Sequence, residues 1–234
     1  MSMQPYSNTS PISDTLVRPL IRWVYAWMGL GLLLTTAIAW MTNTVPALVR
    51  LQSNRTIVIG AIIAELVVVM VLSWASTRLA PTAAAVLFLV YAALNGFTLS
   101  LIFLVYDLGV ITSAFATTSV LFGVMTVIGF TTNTDLTKMG TWLMMGLIGL
   151  LIAMLVNFFL RSTAVEYLIS IVGVVIFTAL TAYDTQKIKR LAASPEFAVE
   201  TPILMKFSIY GALTLYLDFI NLFLFLLRLM GRRR

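Results

Sequence analysis

Three carboxyl groups lie inside stretches of this sequence that are otherwise apolar, and they are the residues best suited to carry chemistry. Asp218 lies at the middle of the run Ile209–Leu227, and Glu65 lies at the middle of Ile57–Trp74. Asp184 lies near the end of a third apolar stretch, beside several cationic residues. A carboxylate inside a bilayer costs at least about 2.5 kcal/mol on insertion scales, so such a residue usually has a function. For Asp184 a solvated charge at a helix end is the alternative.

The residue types that are missing narrow the chemistry further. The sequence contains no Cys and no His, which excludes disulfides, thiolate or imidazole metal sites and a Ser-His-Asp relay. No lysine lies deep in an apolar stretch, which disfavours a Schiff-base protein. The net charge of +6 is spread over the chain without a basic stripe, so we expect no nucleic-acid partner.

The composition places the chain in a membrane. Its mean hydropathy is +1.00 and 60% of its residues are hydrophobic, far from the composition of a soluble domain. About 20 apolar residues cross a bilayer as a helix, and the sequence contains seven such stretches, the last of them interrupted by one charge. They lie near 21–41, 57–76, 82–105, 109–131, 141–160, 165–185 and 203–229. The predicted fold class is therefore an all-α integral membrane protein.

A single transmembrane domain, residues 16–231, is predicted between two polar ends. Residues 1–15 are rich in Ser, Thr and Pro and form a disordered tail, and residues 232–234 form a basic tail. If the N-terminus is cytoplasmic, eight loop cations from Arg18 to Lys206 lie on that side, as the positive-inside rule requires. Three loop cations lie opposite, Arg50, Arg55 and Arg161. The positive-inside rule alone would also place the basic C-terminal tail in the cytoplasm, which requires that the seventh segment re-enters the membrane and returns.

Polar residues recur at helical spacing in three of the predicted spans. The stripes are Gly211, Thr214, Asp218 and Asn221; Thr178, Thr181 and Asp184; and Tyr91, Asn95 and Thr98. Lipid cannot satisfy such side chains, so each stripe must face protein or water. They indicate either a shared polar interior or interhelical hydrogen bonds that hold the bundle together. The second interpretation is favoured for Asn95, Thr181, Thr214 and Asn221, and the first for the aspartate of span seven.

Two segments of the sequence resemble the signature stretches of a known family. ThrAlaTyrAspThrGlnLysIleLys at 181–189 and LeuTyrLeuAspPheIleAsnLeuPheLeu at 215–224 are similar to those of the Bax inhibitor-1 family, the transmembrane BAX inhibitor motif proteins. Residues 22–32 and 91–100 resemble its bacterial branch. The resemblance implies seven helices, in which two layers of three enclose a central C-terminal helix. It therefore overrides the re-entrant interpretation of the seventh segment, and it implies a bacterial inner membrane.

The resemblance also implies a function, a pH-sensitive calcium leak with no cofactor other than weakly bound or transported Ca²⁺. In that family the positions of Asp184 and Asp218 form a hydrogen-bonded pH-sensing pair, and the position of Glu65 lies near the ion path. A span-two arginine of the family can latch onto the span-seven aspartate. Its position here holds Ser76, and the nearest arginine is Arg78, about 200° further around the helix. Calcium, protons and membrane lipid are the expected partners.

Two other functions are compatible with the sequence. One is a non-transporting regulator that binds other membrane proteins in stress or cell-death control. The other is an intramembrane aspartyl protease, in which two carboxylates act as general acid and base. That class carries a GlyXaaGlyAsp block, whereas the second aspartate here lies in LeuTyrLeuAsp, and its ProAlaLeu element is missing. We therefore expect that the protein is not an enzyme.

Overall fold

The computed structural model describes residues 12–74, 79–193 and 201–231. Within these ranges the chain is helical and contains no β-strand, which confirms the predicted fold class. The helices are α1 (Ile12–Thr44), α2 (Pro46–Ser53), α3 (Arg55–Trp74), α4 (Pro81–Leu99), α5 (Ile102–Val105), α6 (Leu108–Thr131), α7 (Thr137–Leu160), α8 (Thr163–Ala192) and α9 (Thr201–Met230). Most of the predicted N-terminal tail and all of the basic tail lie outside the described residues.

Seven of these helices are long and apolar enough to cross a membrane, and they correspond to the seven predicted stretches. They are α1, α3, α4, α6, α7, α8 and α9. The largest differences in bounds are at the start of α1 and at the end of α8. α1 begins at Ile12, inside the segment predicted as a disordered tail and well before the apolar stretch that starts near residue 21. At α8 the apolar pattern predicts an end near residue 185, but the helix continues to Ala192, and its last turn carries Lys189 and Arg190. Cations stabilise the C-terminal end of a helix, so α8 extends beyond its apolar part.

The seventh span is continuous. α9 is a single helix of 30 residues, and at about 1.5 Å per residue it is long enough to cross a hydrocarbon core of about 30 Å. It contains no break at which a re-entrant segment could turn back. A continuous seventh helix of this length agrees with the seven-span architecture that the family resemblance implies.

The helices form two layers around α9. α1, α3 and α4 pack together on one side, α6, α7 and α8 pack together on the other, and α9 contacts both groups. In its most apolar window 61% of α9 is buried, against 6% for α3 and for α7. α9 is therefore the central helix, while α3 and α7 present apolar side chains to lipid.

Aromatic side chains on α9 join the two layers. Tyr216 is fully buried and meets the rings of Phe88 and Tyr91 of α4 edge-on. Two turns further along, Phe225 stacks on Phe177 of α8 at 5.8 Å between ring centroids. Aromatic pairs in such geometries contribute about 0.5–1.5 kcal/mol beyond the area they bury. These contacts fix the rotation of α9 about its axis, and hence the direction of the aspartate between them.

Candidate functional site

Asp184 of α8 and Asp218 of α9 meet at the contact between these two helices. Both are buried, with 8% and 4% of their surfaces exposed, and their carboxyl groups lie within hydrogen-bonding reach of each other. Two carboxyl groups hydrogen-bond to each other only if one of them carries a proton, because an ionised carboxylate has no donor. The arrangement is therefore suited to a pair that shares one proton. The solvated helix-end alternative for Asp184 does not describe its buried position.

Asp218 has few other polar neighbours. Its Oδ2 atom is buried and has no hydrogen-bond partner among the described residues. Along the same helix, Phe219 packs edge-on against Phe115 and Phe122 of α6. Apolar rings therefore pack against the residue next to Asp218 on α9, and among the described residues Asp184 is the ionisable neighbour of this carboxyl group.

An open cavity leads to Asp184 from one end of the bundle. It has a volume of about 600 Å³ and lies between α1, α3, α8 and α9. Its polar lining consists of Ser73, Asp184, Lys187, Lys206, Tyr210 and Thr214. The lysines belong to the end that the charge distribution assigns to the cytoplasm. Asp184 therefore faces a water-accessible space, and Asp218 lies behind it.

Glu65 is placed in a separate polar cluster between α3 and α4. Its carboxylate accepts hydrogen bonds from Asn95 Nδ2 and from Thr98 Oγ1, the latter at 3.0 Å. Asn95 is 5% exposed, whereas Glu65 is half-buried. Because Thr98 precedes the last residue of α4, this cluster lies toward the end of the bundle opposite the cavity.

The predicted polar interior is only partly shared between helices. Thr181, Thr214 and Asn221 each donate to a backbone carbonyl one turn earlier in their own helix, at 2.8, 3.1 and 2.8 Å. Among the four residues predicted for this role, Asn95 alone bonds to a side chain of another helix in the described structure. A threonine or asparagine that bonds its own backbone needs no polar partner. Helical spacing identified the stripes but did not distinguish these cases.

The latch positions lie outside the described residues. α3 ends at Trp74, and the structure next describes Leu79, so Ser76 and Arg78 remain sequence-based predictions.

Two groups of polar residues near the site were missed by the sequence reasoning. Thr35 of α1 shares a hydrogen bond of 2.7 Å with the hydroxyl of Tyr216 and donates to the carbonyl of Ala92, which ties α1, α4 and α9 together. Gln186, two residues after Asp184, is 5% exposed and bonds to the connection between α6 and α7. For Gln186 the only signal in the sequence was an amide side chain inside the signature stretch at 181–189.

Comparison with known proteins agrees with this architecture. A profile of the family described as "Inhibitor of apoptosis-promoting Bax1" matches residues 17–234. The chain belongs to the Bax inhibitor-1 family. Among its relatives, the inner membrane protein YbhL of Escherichia coli strain K12 is 46% identical over 231 residues, which cover 96% of this chain and 98% of YbhL.

Other members of the Bax inhibitor-1 family are similar along the same length. A Borreliella burgdorferi protein named as uncharacterized is 44% identical, covering 90% of each chain. The Rickettsia prowazekii protein RP147, also named as uncharacterized, is 41% identical over 97% of this chain and 95% of its own. None of these three names describes an enzyme or a transported ion. This family member is a multi-pass membrane protein, as predicted.

Proposed function

We propose that this protein is a pH-sensitive calcium leak of the bacterial inner membrane, gated by the Asp184–Asp218 pair. The observation that carries the proposal is the close approach of two buried carboxyl groups, one of which lines a cavity open at one end of the bundle, the end that the charge distribution predicts to be cytoplasmic. Such a pair exchanges its shared proton with the cytoplasm through the cavity. The YbhL name and the family membership support the inner-membrane location.

The shared proton gives the pair two states. With the proton, the hydrogen bond joins α8 to α9 and keeps the helices together. Without it, two carboxylates repel each other across the same contact. The ionised pair also presents hard oxygen ligands, which Ca²⁺ prefers, although two carboxylates are few for a cation that takes six to eight oxygens. Weak binding and passage follow more readily from this site than storage.

Two tyrosine rings near the pair account for the closed state in this proposal. Tyr216, two residues before Asp218, packs against Tyr91, and Tyr91 lies one turn before Asn95 of the Glu65 cluster on α4. The two rings are therefore close along the chain to the acidic pair on one helix and to the Glu65 cluster on the other. We infer that opening requires α8 and α9 to separate, so that a cation passes from the cavity to the Glu65 oxygens.

The proposal assigns the pair to ion and proton binding and not to peptide hydrolysis. An aspartyl protease needs both carboxyl groups in contact with a substrate and a water molecule. Here the cavity reaches Asp184, while Asp218 is 4% exposed and bordered by phenylalanine rings. We therefore infer that the protein is not an enzyme and uses no cofactor, with Ca²⁺ as cargo. Regulation of other membrane proteins would be a consequence of the leak.

The test is calcium flux into liposomes that contain only the purified protein, measured from pH 5 to pH 8. We expect flux that depends on pH in the wild type and flux independent of pH in Asp218→Asn, since an amide keeps hydrogen bonding but cannot ionise. Asp107→Asn, the same change at an exposed aspartate in the connection before α6, is the control. Wild-type liposomes no leakier than empty ones at every pH would refute the proposal.

A further inference from the structure

The cytoplasmic end of α8 is fastened to the connection between α6 and α7. Gln186 uses both ends of its amide for this: Oε1 accepts from the backbone N–H of Leu136, and Nε2 donates to the carbonyl of Thr134, each at 2.9 Å. Only a side chain with both a donor and an acceptor can satisfy these two opposite groups. Gln186 is also 5% exposed, so replacing its amide by an apolar group would remove both bonds between this part of α8 and the connection.

Two cationic side chains one turn later in α8 also contact the connection between α6 and α7. Lys189 Nζ donates to the carbonyl of Phe130 at 2.7 Å, in the last turn of α6. Arg190 donates to Thr137 Oγ1 and forms an ion pair with Asp135 Oδ1, both at 2.6 Å. Positions i, i+3 and i+4 share one face of a helix. One face of α8 therefore holds the connection at residues 130–137, and we call these contacts the hairpin clamp.

Glycines let α6 and α7 approach α8 beside the aspartate. A Cβ at Gly129 of α6 would crowd the carbonyl of Ala182 and the side chain of Thr185, and a Cβ at Gly140 of α7 would overlap the ring of Tyr183. Asp184 thus lies in a short segment of α8 that α6 and α7 contact from two sides and that the hairpin clamp holds just after Asp184. The position of Asp184 opposite α9 depends on these contacts, because Asp218 is the one carboxyl group described next to it.

We propose that the hairpin clamp positions Asp184 against Asp218, and that Gln186 is its central positioning residue. This inference deepens the calcium-leak proposal and rests on it for its functional meaning. Release of the clamp would let α8 turn or slide relative to α9 and break the hydrogen bond of the pair. Coupling through a rigid, packed element of this kind is how a remote contact biases a two-state site.

The clamp itself is insensitive to pH in the range where the leak is expected to respond. Hydrogen bonds from the side chain and backbone of Thr137, together with Arg190, lower the pKa of Asp135 from 3.8 to about 2. Asp135 is therefore ionised throughout pH 5–8. The ionisable groups around Asp184 are Asp218, its partner, and Lys187, Lys206 and Tyr210, which line the cavity. The clamp sets geometry, and the pair responds to protons.

Two independent substitutions test the proposal in the full-length protein, each with a matched control. Gln186→Leu removes the amide, and its control is Gln52→Leu, since Gln52 is also buried but bonds to Ser100 at the opposite end of the bundle. Gly140→Ala pushes α7 off α8 without changing charge. Its control is Gly149→Ala on the same helix, where a Cβ would meet no atom within 4 Å.

Three measurements are compared for the four variants. Amide hydrogen exchange of residues 132–137 reports release of the clamp. The infrared carbonyl band of the protonated pair, assigned by its loss in Asp218→Asn, reports the carboxyl hydrogen bond without any need for transport. Calcium flux at pH 6 and pH 8 reports function. We expect Gln186→Leu and Gly140→Ala to exchange faster, to move the infrared band, and to change the flux ratio about fivefold or more, the lower end of a typical allosteric coupling.

The outcomes separate the two proposals. Faster exchange with an unchanged infrared band and an unchanged flux ratio would overturn the positioning role, and so would exchange equal to that of the wild type. If the band moves in the two clamp variants but not in their controls, while no variant or wild type carries calcium, the positioning role stands and the leak proposal fails. If Gln186→Leu does not fold, Gly140→Ala against Gly149→Ala decides the question.

Discussion

The two acidic sites of this protein differ in the groups that surround their carboxyl groups. Glu65 is half-buried and receives hydrogen bonds from two neutral donors, Asn95 and Thr98. The Asp184–Asp218 pair is buried, and its two carboxyl groups lie within hydrogen-bonding reach of each other. Neutral donors can hold a carboxylate in its charged form, whereas two carboxyl groups bind each other only by sharing a proton. This difference supports the proposal that the pair senses pH and that Glu65 contacts the cation.

The largest expected effect comes from exchanging acid for amide at the two sites. We expect Asp184→Asn to abolish most of the flux difference between pH 6 and pH 8, because Asp218 then has no second carboxyl group with which to share a proton and the coupled titration of the pair is lost. Glu65→Gln should lower calcium flux at every pH and leave the pH dependence in place. Liposome flux measures both. Equal loss of pH dependence in the two variants would show that the sites act as one.

A second change would make the Glu65 site more like the pair by removing one donor. Asn95→Leu takes a buried hydrogen bond from a carboxylate, and we expect it to lower the free energy of unfolding by about 1–3 kcal/mol. Asn221→Leu is the matched control, because the amide of Asn221 bonds only to the carbonyl of Leu217 on its own helix. Denaturant unfolding in detergent compares the two, and an equal loss would mean that the Glu65 contact contributes nothing specific.

Adding a cation near the pair is expected to have a smaller effect. The family resemblance places a latch arginine at residue 76, which is Ser here, while Arg78 lies two positions further along. Ser76→Arg should favour the ionised form of Asp218 and so shift the pH response of the leak toward more acidic values. Arg78→Ala should leave flux nearly unchanged if that arginine only anchors the cytoplasmic end. An open leak in Arg78→Ala, with no effect of Ser76→Arg, would make Arg78 the latch.

The smallest effect concerns the exposed ion pair of the hairpin clamp. The pKa of Asp135 is lowered to about 2, so its contribution to stability is complete above its ordinary pKa of 3.8 and is lost as the pH falls toward 2. We expect Asp135→Asn to leave flux and unfolding nearly unchanged between pH 5 and pH 8, apart from a small uniform loss. A difference from wild type that grows between pH 5 and pH 8 would contradict this.

The membrane spans were predictable because they depend on local properties of the chain. About 20 apolar residues specify a span wherever they occur, and the apolar spans agree with the predicted stretches within a few residues except at the end of α8. Helix α1 itself begins earlier than predicted, at Ile12. The three acidic residues were also identifiable, because each is out of place in its apolar surroundings. Which of them meet was implied by the family resemblance and not by spacing.

Sequence alone determined the number of spans, the acidic residues within them and the helical faces on which polar side chains recur, since periodicity is a property of a single helix. Tertiary structure decided which faces meet. In the folded protein Asp184 lies next to Asp218, and Glu65 accepts hydrogen bonds from Asn95 and Thr98. Gln186 bonds to Leu136, which is 50 residues away in the sequence. The physical reason is that the rotation of each helix is set by packing against its neighbours, here by aromatic rings on α9 and glycines on α6 and α7, and no local pattern encodes that contact.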